Sequence, residues 1–208
     1  MATPANLKEF RKTIRAARRA VADPLRETWN DQICAQILET PEYRASRKVA
    51  GFLAFDGEAD PRGVMNQAIK DGKQVFVPLM QGKHDPLLFI EWFPDAKLEK
   101  NRFGIDEPIG DKDAAVAANT LELVVTPLVA FDENCNRIGV GGGFYDRTFE
   151  FVKPKSDGRS CDSGVAMIGF TFELQKQKLI HPNPWDIRLS AVATERMIYR
   201  PPDVVTSL

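Results

Sequence analysis

An α/β fold with a mostly parallel central sheet is what this sequence predicts, on three observations. Short apolar runs of strand length, KVAGFLAF (48–55), QVFVPL (74–79), LLFIEW (87–92), LELVVTPLVAF (121–131) and VAMIGF (165–170), occur among segments of helical period. Several runs are apolar at successive positions, as strands covered on both faces are. The 208 residues suffice for one sizeable core, and no internal repeat, low-complexity tract or clear linker divides them. The expectation is a single domain, 1–208, of three-layer α/β/α, Rossmann-like architecture with an N-terminal helical pair.

Thr3-Pro4 can cap and open a helix in which Leu7, Phe10, Ile14, Ala17 and Val21 form one apolar stripe, leaving the basic residues to the other faces. Asp23-Pro24 repeats the start signal, and Leu25, Trp29, Ile33 and Ile37 continue it as a second helix. The run at 48–55 leads into an acidic loop, DGEAD, after which Asp60-Pro61 opens a third helix ending near Gly72. Strands follow at 74–79 and 87–92. The run at 121–131 is the strongest, limited or bent by Pro127, which has no N–H for a ladder. FYDRTFEFV (144–152) reads as helix, VAMIGF as a buried strand and AVATE (191–195) as a last short one.

A formal net charge of -1 gives the molecule no nucleic-acid-sized basic field. Charge is unevenly placed, however: Lys8, Arg11, Lys12, Arg15, Arg18, Arg19 and Arg26 stand against Glu9 and Asp23 in residues 1–26, a surplus of five. That surplus keeps a polyanion-binding module in view as a second class of function. Cys34, Cys135 and Cys161 have no metal-ligand spacing and cannot all pair with one another, which favours a reducing compartment. There is no apolar signal-peptide core and no run of eighteen apolar residues, so the expectation is a cytoplasmic enzyme, with no membrane or nucleic-acid partner. An Arg-rich, acid-poor start leaves an organelle transit segment open.

RIGVGGGFYDRTFE (137–150) has glycine at 139, 141, 142 and 143, between an expected strand and an expected helix. Bare backbone there lets successive N–H groups point into one concavity, where an anion such as phosphate belongs. A ligand-free tight turn is the alternative. The stretch is no P-loop, and Gly72-Lys73 and Gly82-Lys83 are followed by Gln74 and His84 rather than Ser or Thr. Nor is it a dinucleotide fingerprint, which would need glycine where Phe144 stands. Arg137 and Arg147 flank the stretch with positive charge. Asp146, in the first helical turn, is on its own either a dipole partner or a Mg²⁺ ligand.

TPLVAFDENCNRIGVGGGFYDR resembles the hallmark run of the 5-formyltetrahydrofolate cyclo-ligase family, also called 5,10-methenyltetrahydrofolate synthetases. LKEFRKTIRAARR, VAGFLAFDGEAD, FGIDEP (103–108) and PWD (184–186) extend the likeness in the family's order. The resemblance implies an ATP- and Mg²⁺-dependent ring closure of 5-formyltetrahydrofolate, and the expectation is a monomer acting on small molecules. It implies a nucleotide site of Lys8, Arg11, Arg15 and the loop Arg137, Ile138, Gly139, Val140, Gly141, Gly142, Gly143, Phe144 and Tyr145, with catalytic work at Arg137, Gly141, Gly143 and Tyr145. It implies folate contacts from Leu53, Glu58, Phe103 and Val140 to Phe144, and Mg²⁺ at Asp146 and Asp186.

Two positions depart from the family pattern. Cys135 stands for a glycine, where a left-handed turn would be strained, and Ser190 for a common acid. His84 and His181 fall outside its motifs and read as surface or loop residues. A different enzyme on the same scaffold, such as a sugar-phosphate isomerase or a CoA-transferase-like protein, would need neither Mg²⁺ nor ATP.

Overall fold

The structure, a computed structural model, describes residues 4–101, 104–110, 112–153 and 164–202; Thr3, Phe103 and Cys161 lie outside them. Helices α1 (Pro4–Arg19), α2 (Asp23–Leu38) and α3 (Pro41–Ala45) precede strand β1 (Lys48–Ala50). Then come α4 (Arg62–Lys70), β2 (Gln74–Leu79), β3 (Leu88–Glu91), β4 (Leu98–Lys100), β5 (Asp106–Pro108) and β6 (Leu123–Thr126). The chain continues through β7 (Ala130–Phe131), β8 (Arg137–Ile138), α5 (Phe144–Thr148), β9 (Ala166–Phe170), β10 (Ala191–Ala193) and β11 (Ile198–Tyr199).

The main sheet has seven strands in the order β11-β10-β9-β6-β1-β2-β3. β10, β9, β6, β1 and β2 run parallel, and the edge strands β11 and β3 are antiparallel to their neighbours. Alternation along each strand supplies both outer layers. Val49, Val75, Val77, Leu123, Val125 and Ile168 face the side covered by α2 and α4. Ala50, Phe76, Val124, Met167 and Val192 face the other side, which is closed by Phe149, Leu121, Leu128 and Leu189. That second layer consists mostly of short turns rather than long helices.

Three runs are shorter as regular elements than their sequence pattern suggests. β1 stops at Ala50 and makes one further bond, Gly51 N–H to the Phe76 carbonyl at 2.8 Å. The chain then turns away through Asp56 (φ 53) and Gly57 (φ 75). The run at 121–131 divides at Pro127: β6 stays in the sheet, while Ala130 and Phe131 leave it to pair with Ile138 and Arg137 in a hairpin. The helix expected over 144–152 ends at Thr148 and continues as a 3₁₀ turn, Glu150–Val152. Helix α3 was not expected, although Thr40-Pro41 repeats the start signal and Thr40 Oγ1 accepts from Tyr43 N–H at 3.2 Å. The hairpin β4–β5 falls in a polar segment (94–119) that carries no strand signal.

Helix α1 departs most from its expected apolar stripe. Leu7, Phe10, Ile14 and Val21 are only half-buried and Ala17 is exposed, whereas Arg18 is 1% exposed. The face of α1 turned to the protein is therefore partly basic. Most of the arginines are engaged with the protein rather than solvated.

In the β7–β8 hairpin, Cys135 has φ 61, the glycine-like conformation expected from its position. A left-handed non-glycine residue costs about 1–2 kcal/mol, and the wholly buried side chain, whose thiol donates to the Tyr199 carbonyl at 3.4 Å, offsets part of it. Burial pushes the thiol pKa up to about 11, so Cys135 is a packing residue and not a nucleophile. Ser190 Oγ accepts from Met167 N–H at 3.1 Å, a structural role that needs no charge.

Asp132 organises the same hairpin from a fully buried position. One carboxylate oxygen accepts from Asn134 and Asn136 N–H, both at 3.0 Å, and the other from Ile180 N–H at 2.9 Å and Asn136 Nδ2 at 3.1 Å. Asp132→Ala leaves those donors without an acceptor and is expected to destabilise the protein by about 3 kcal/mol or more. Urea unfolding checks this, and a midpoint equal to wild type would refute it.

Candidate active site

The two loops that carry the expected site residues leave the sheet at one place. β1 is flanked by β2 on one side and β6 on the other, so the chain's winding direction reverses between β1 and β6. In open α/β sheets the crevice lies at the carboxyl ends of strands flanking such a reversal. The loop after β1 contains Leu53 to Glu58, and the chain after β6 contains the β7–β8 hairpin and the glycine loop.

Arg137, in the second strand of the hairpin, anchors the glycine loop and α5. Its buried guanidinium donates to Asp146 Oδ1 at 2.7 Å and to the Ile187 carbonyl, and Asp146 Oδ1 also accepts from Ile187 N–H at 3.1 Å. β8, α5 and the segment after Asp186 are thereby tied together. Gly139 to Gly143 span the gap between Ile138 and α5, with Gly141 at φ 106 and Gly143 at φ 65, conformations that L side chains rarely adopt. Val140, Gly141 and Gly142 are exposed.

Two cations flank this bare backbone. Arg11 of α1 donates through Nε to the Gly139 carbonyl at 2.8 Å, and its guanidinium carbon lies 3.4 Å from where a Gly141 Cβ would stand. Arg147 reaches from the other side, its Nη1 2.8 Å from a would-be Gly143 Cβ, over the Phe144 ring at 5.2 Å. The sequence marks Arg147 only as a flanking charge. Lys8 is exposed one turn from Arg11 and makes no ion pair among the described residues.

Arg15 turns instead to the loop after β1. Its Nε meets Asp56 Oδ2 at 2.6 Å, and Arg19 meets Asp56 Oδ1 at 2.7 Å. Burial alone would raise the Asp56 pKa, but hydrogen bonds from Arg19 and Arg15 outweigh it and hold the carboxyl below its usual range. Arg18 lies between them, donating to the Asp56 carbonyl at 3.1 Å, the Phe55 and Leu128 carbonyls at 3.5 Å and Glu58 Oε1 at 3.4 Å. Sequence reasoning missed Arg18 as a site residue. Its signal was the i, i+4, i+7 spacing Arg11-Arg15-Arg18, which puts three guanidiniums on one helical face.

Glu58 Oε2 accepts from Phe55 N–H at 3.2 Å. Burial raises the Glu58 pKa, against the charge of Arg18 and that hydrogen bond. Leu53 packs on the core beside this turn and Phe55 is exposed at the rim. Tyr145 approaches from α5, its ring stacked on Phe149 at 6.0 Å. Its hydroxyl is buried with no hydrogen-bond partner among the described residues, and its pKa is raised by burial and then by the charge of Glu58. A buried hydroxyl without a partner keeps its donor free.

Asp186 Oδ2 caps its own turn, accepting from Asn183 N–H at 2.7 Å and Asn183 Nδ2 at 3.1 Å. Asp146 and Asp186 each keep one carboxylate oxygen clear of protein donors among the described residues. No cluster of three or more His, Cys, Asp or Glu side chains suited to a metal occurs among those residues. One or two carboxylates completed by phosphate oxygens and water is a donor set for Mg²⁺ arriving with phosphate. His84 and His181 are exposed. By the end of β2, Glu107 accepts from Met80 N–H at 3.1 Å and from Asn101 Nδ2 at 2.9 Å.

A switch point of a mostly parallel sheet, flanked by a glycine loop and a basic helix, marks an open α/β enzyme whose loop is of the kind that can receive an anion. The 5-formyltetrahydrofolate cyclo-ligase family model matches residues 4–195, and the chain belongs to that family. It is 32% identical over 187 residues to the 5-formyltetrahydrofolate cyclo-ligase of Escherichia coli K12, covering 89% of this chain and 98% of that one. The Haemophilus influenzae cyclo-ligase is 30% identical over 183 residues, covering 87% and 93%. The NMR structure of Aquifex aeolicus 5,10-methenyltetrahydrofolate synthetase shares the fold, with TM-score 0.78, 24% identity and coverage of 97% and 96%. A Mycoplasma pneumoniae 5,10-methenyltetrahydrofolate synthetase superposes with TM-score 0.67 at 18% identity, covering 91% and 99%. No helix among the described residues is long and apolar enough to cross a membrane.

Gly141→Ala tests the loop separately from the fold. A Cβ at φ 106 forces an exposed loop to rearrange, so turnover is expected to fall by about tenfold or more while the thermal midpoint stays near wild type. Unchanged turnover would show that the loop conformation has no part in catalysis.

Proposed function

We propose that this enzyme converts 5-formyltetrahydrofolate to 5,10-methenyltetrahydrofolate with Mg²⁺ and ATP, releasing ADP and phosphate. The observation that carries the proposal is that α1 bonds to two unlike segments, the bare glycine loop through Arg11 and the partly buried Glu58 through Arg18. One is suited to phosphates and the other to the hydrogen-bonding edge of a pterin.

An amide-like formyl oxygen is a poor leaving group. Transfer of the γ-phosphoryl group to it lets N10 attack the formyl carbon, and the C–O bond then breaks as phosphate departs together with the N10 proton, leaving ADP and hydrogen phosphate. Such a transfer needs positioning and charge neutralisation rather than a nucleophilic side chain. The N–H groups of Gly139 to Gly143 and the cations Lys8, Arg11 and Arg147 receive the phosphates, and Arg15 adds charge from its place on Asp56. Asp146, oriented by Arg137, and Asp186 would hold Mg²⁺, which supplies further neutralisation of phosphate charge. Glu58 takes the pterin edge, Leu53 and Phe55 its apolar face, and Val140 and Phe144 border both ligands. The Tyr145 hydroxyl donates into the ligand that fills the cleft. The resemblance adds Phe103 on the folate side. The proposal includes a monomer acting on small molecules in the cytoplasm, without nucleic acid or membrane as partner.

With saturating folate and Mg²⁺-ATP, near-ultraviolet absorbance should rise as the methenyl product forms; no ATP-dependent rise would overturn the proposal. Asp146→Asn is expected to raise the KM for ATP, and Glu58→Gln the KM for folate, each by about tenfold with the other substrate little affected. Because the folded state raises the Glu58 pKa, its contribution to stability is full below the unfolded value and is lost as pH rises through the folded one. Above that range Glu58→Gln should therefore melt no lower than wild type while binding folate worse. A clear loss of stability with unchanged folate KM would show that Glu58 serves the fold instead.

A further inference from the structure

We propose that Arg18 is a positioning residue for the folate site: its buried guanidinium holds the Glu58 carboxylate and the carbonyls of the 55–56 turn, so that Glu58 meets the pterin as an ion in a fixed orientation. This rests on reading Glu58 as the folate carboxylate.

Buried guanidiniums are costly, and as a strut alone Arg18 could be replaced by an apolar side chain of similar volume. Its surroundings argue for more. Asp56 already has Arg15 at 2.6 Å and Arg19 at 2.7 Å, while Arg18 stands 3.5 Å from it. Asp56 thus has two cations closer to it than Arg18. For Glu58 it is the one cation within hydrogen-bond reach among the described residues, at 3.4 Å.

The bonds to the Phe55, Asp56 and Leu128 carbonyls fix the fork, and Gln175 Nε2 holds the Leu128 carbonyl from the other side at 3.0 Å. The guanidinium therefore approaches Glu58 in a set orientation. The remaining groups facing Glu58 are Asp56 and the Phe55 N–H from its own loop, Arg15 from α1 and the Tyr145 hydroxyl from α5, with Arg137 beyond that hydroxyl. Burial works to keep Glu58 protonated, and Arg18 is the strongest opposing charge. A neutral acid keeps its own proton on one oxygen and cannot accept two N–H donors side by side as a carboxylate can.

The test is the pH profile of kcat/KM for 5-formyltetrahydrofolate at saturating Mg²⁺-ATP, for wild type, Arg18→Lys, Arg18→Gln and Glu58→Gln, with the KM for ATP and the thermal midpoint measured alongside. Wild type should show an acid limb from Glu58. Arg18→Gln, which removes the charge, should move that limb to higher pH by about one unit, an approximately tenfold loss on its acid side, with the KM for ATP changed by less than about twofold. Arg18→Lys, which keeps the charge without the fork, should lie between. It decides the matter by itself if Arg18→Gln does not fold. A limb that vanishes in Glu58→Gln yet stays in place in the Arg18 variants overturns this inference alone. A Glu58→Gln enzyme with wild-type folate kinetics overturns the underlying reading and this inference with it.

Discussion

The carboxylates of Asp56 and Glu58 can be carried in a turn over the end of β1 because α1 brings three arginines down on them. Left unpaired, buried charges of either sign would be too costly for a fold of ordinary stability. Paired, they lock an otherwise unfavourable piece of chain, a turn with positive φ at both Asp56 and Gly57. Arg26 closes the arrangement from α2, donating to the Gly57 carbonyl at 2.6 Å and the Val21 carbonyl at 2.9 Å. The last turns of α1 are therefore held to the 55–58 turn largely by directional bonds, whereas α2 buries Ile33, Cys34 and Ile37 in the core.

This constraint lets one helix border both of the proposed sites. The reversal of strand order at β1 and β6 places two loops side by side, but neither β1 nor β6 is long enough to shape them. α1 lies across both. Its first turns meet the glycine loop through Arg11, and its last turns meet the 55–58 turn through Arg15, Arg18 and Arg19. The Arg137–Asp146 pair then holds the far wall. A polyanion-binding surface would need those cations in solvent, and several of them are engaged inside the molecule.

Much of this was legible in the sequence, unevenly so. The strand runs were found because a parallel sheet buried on both faces writes nearly continuous apolar sequence. Their ends were overrun at Gly51 and Pro127, where the chain leaves the ladder for the site without losing its apolar character. The glycine loop stood out because four glycines in five positions have few structural excuses. Cys135 could be read as a strained left-handed residue because the resemblance supplied the glycine it replaces. The family likeness likewise led to Glu58 and Arg11. Arg18 shares a helical face with Arg11 and Arg15, but that spacing alone does not show that it is the buried one of the three. Its burial depends on carboxylates roughly forty residues downstream that fold back over the same helical face.

The central claim is that α1 is the shared wall of a nucleotide site and a folate site. Amide hydrogen exchange across α1 tests it most directly, measured on the free protein, with Mg²⁺-ADP alone, with 5-formyltetrahydrofolate alone and with both. The account requires slower exchange in α1 with either ligand, accompanied by residues 137–143 for the nucleotide and 53–58 for the folate, and the greatest protection with both. Unchanged exchange in α1 with each ligand bound would contradict it.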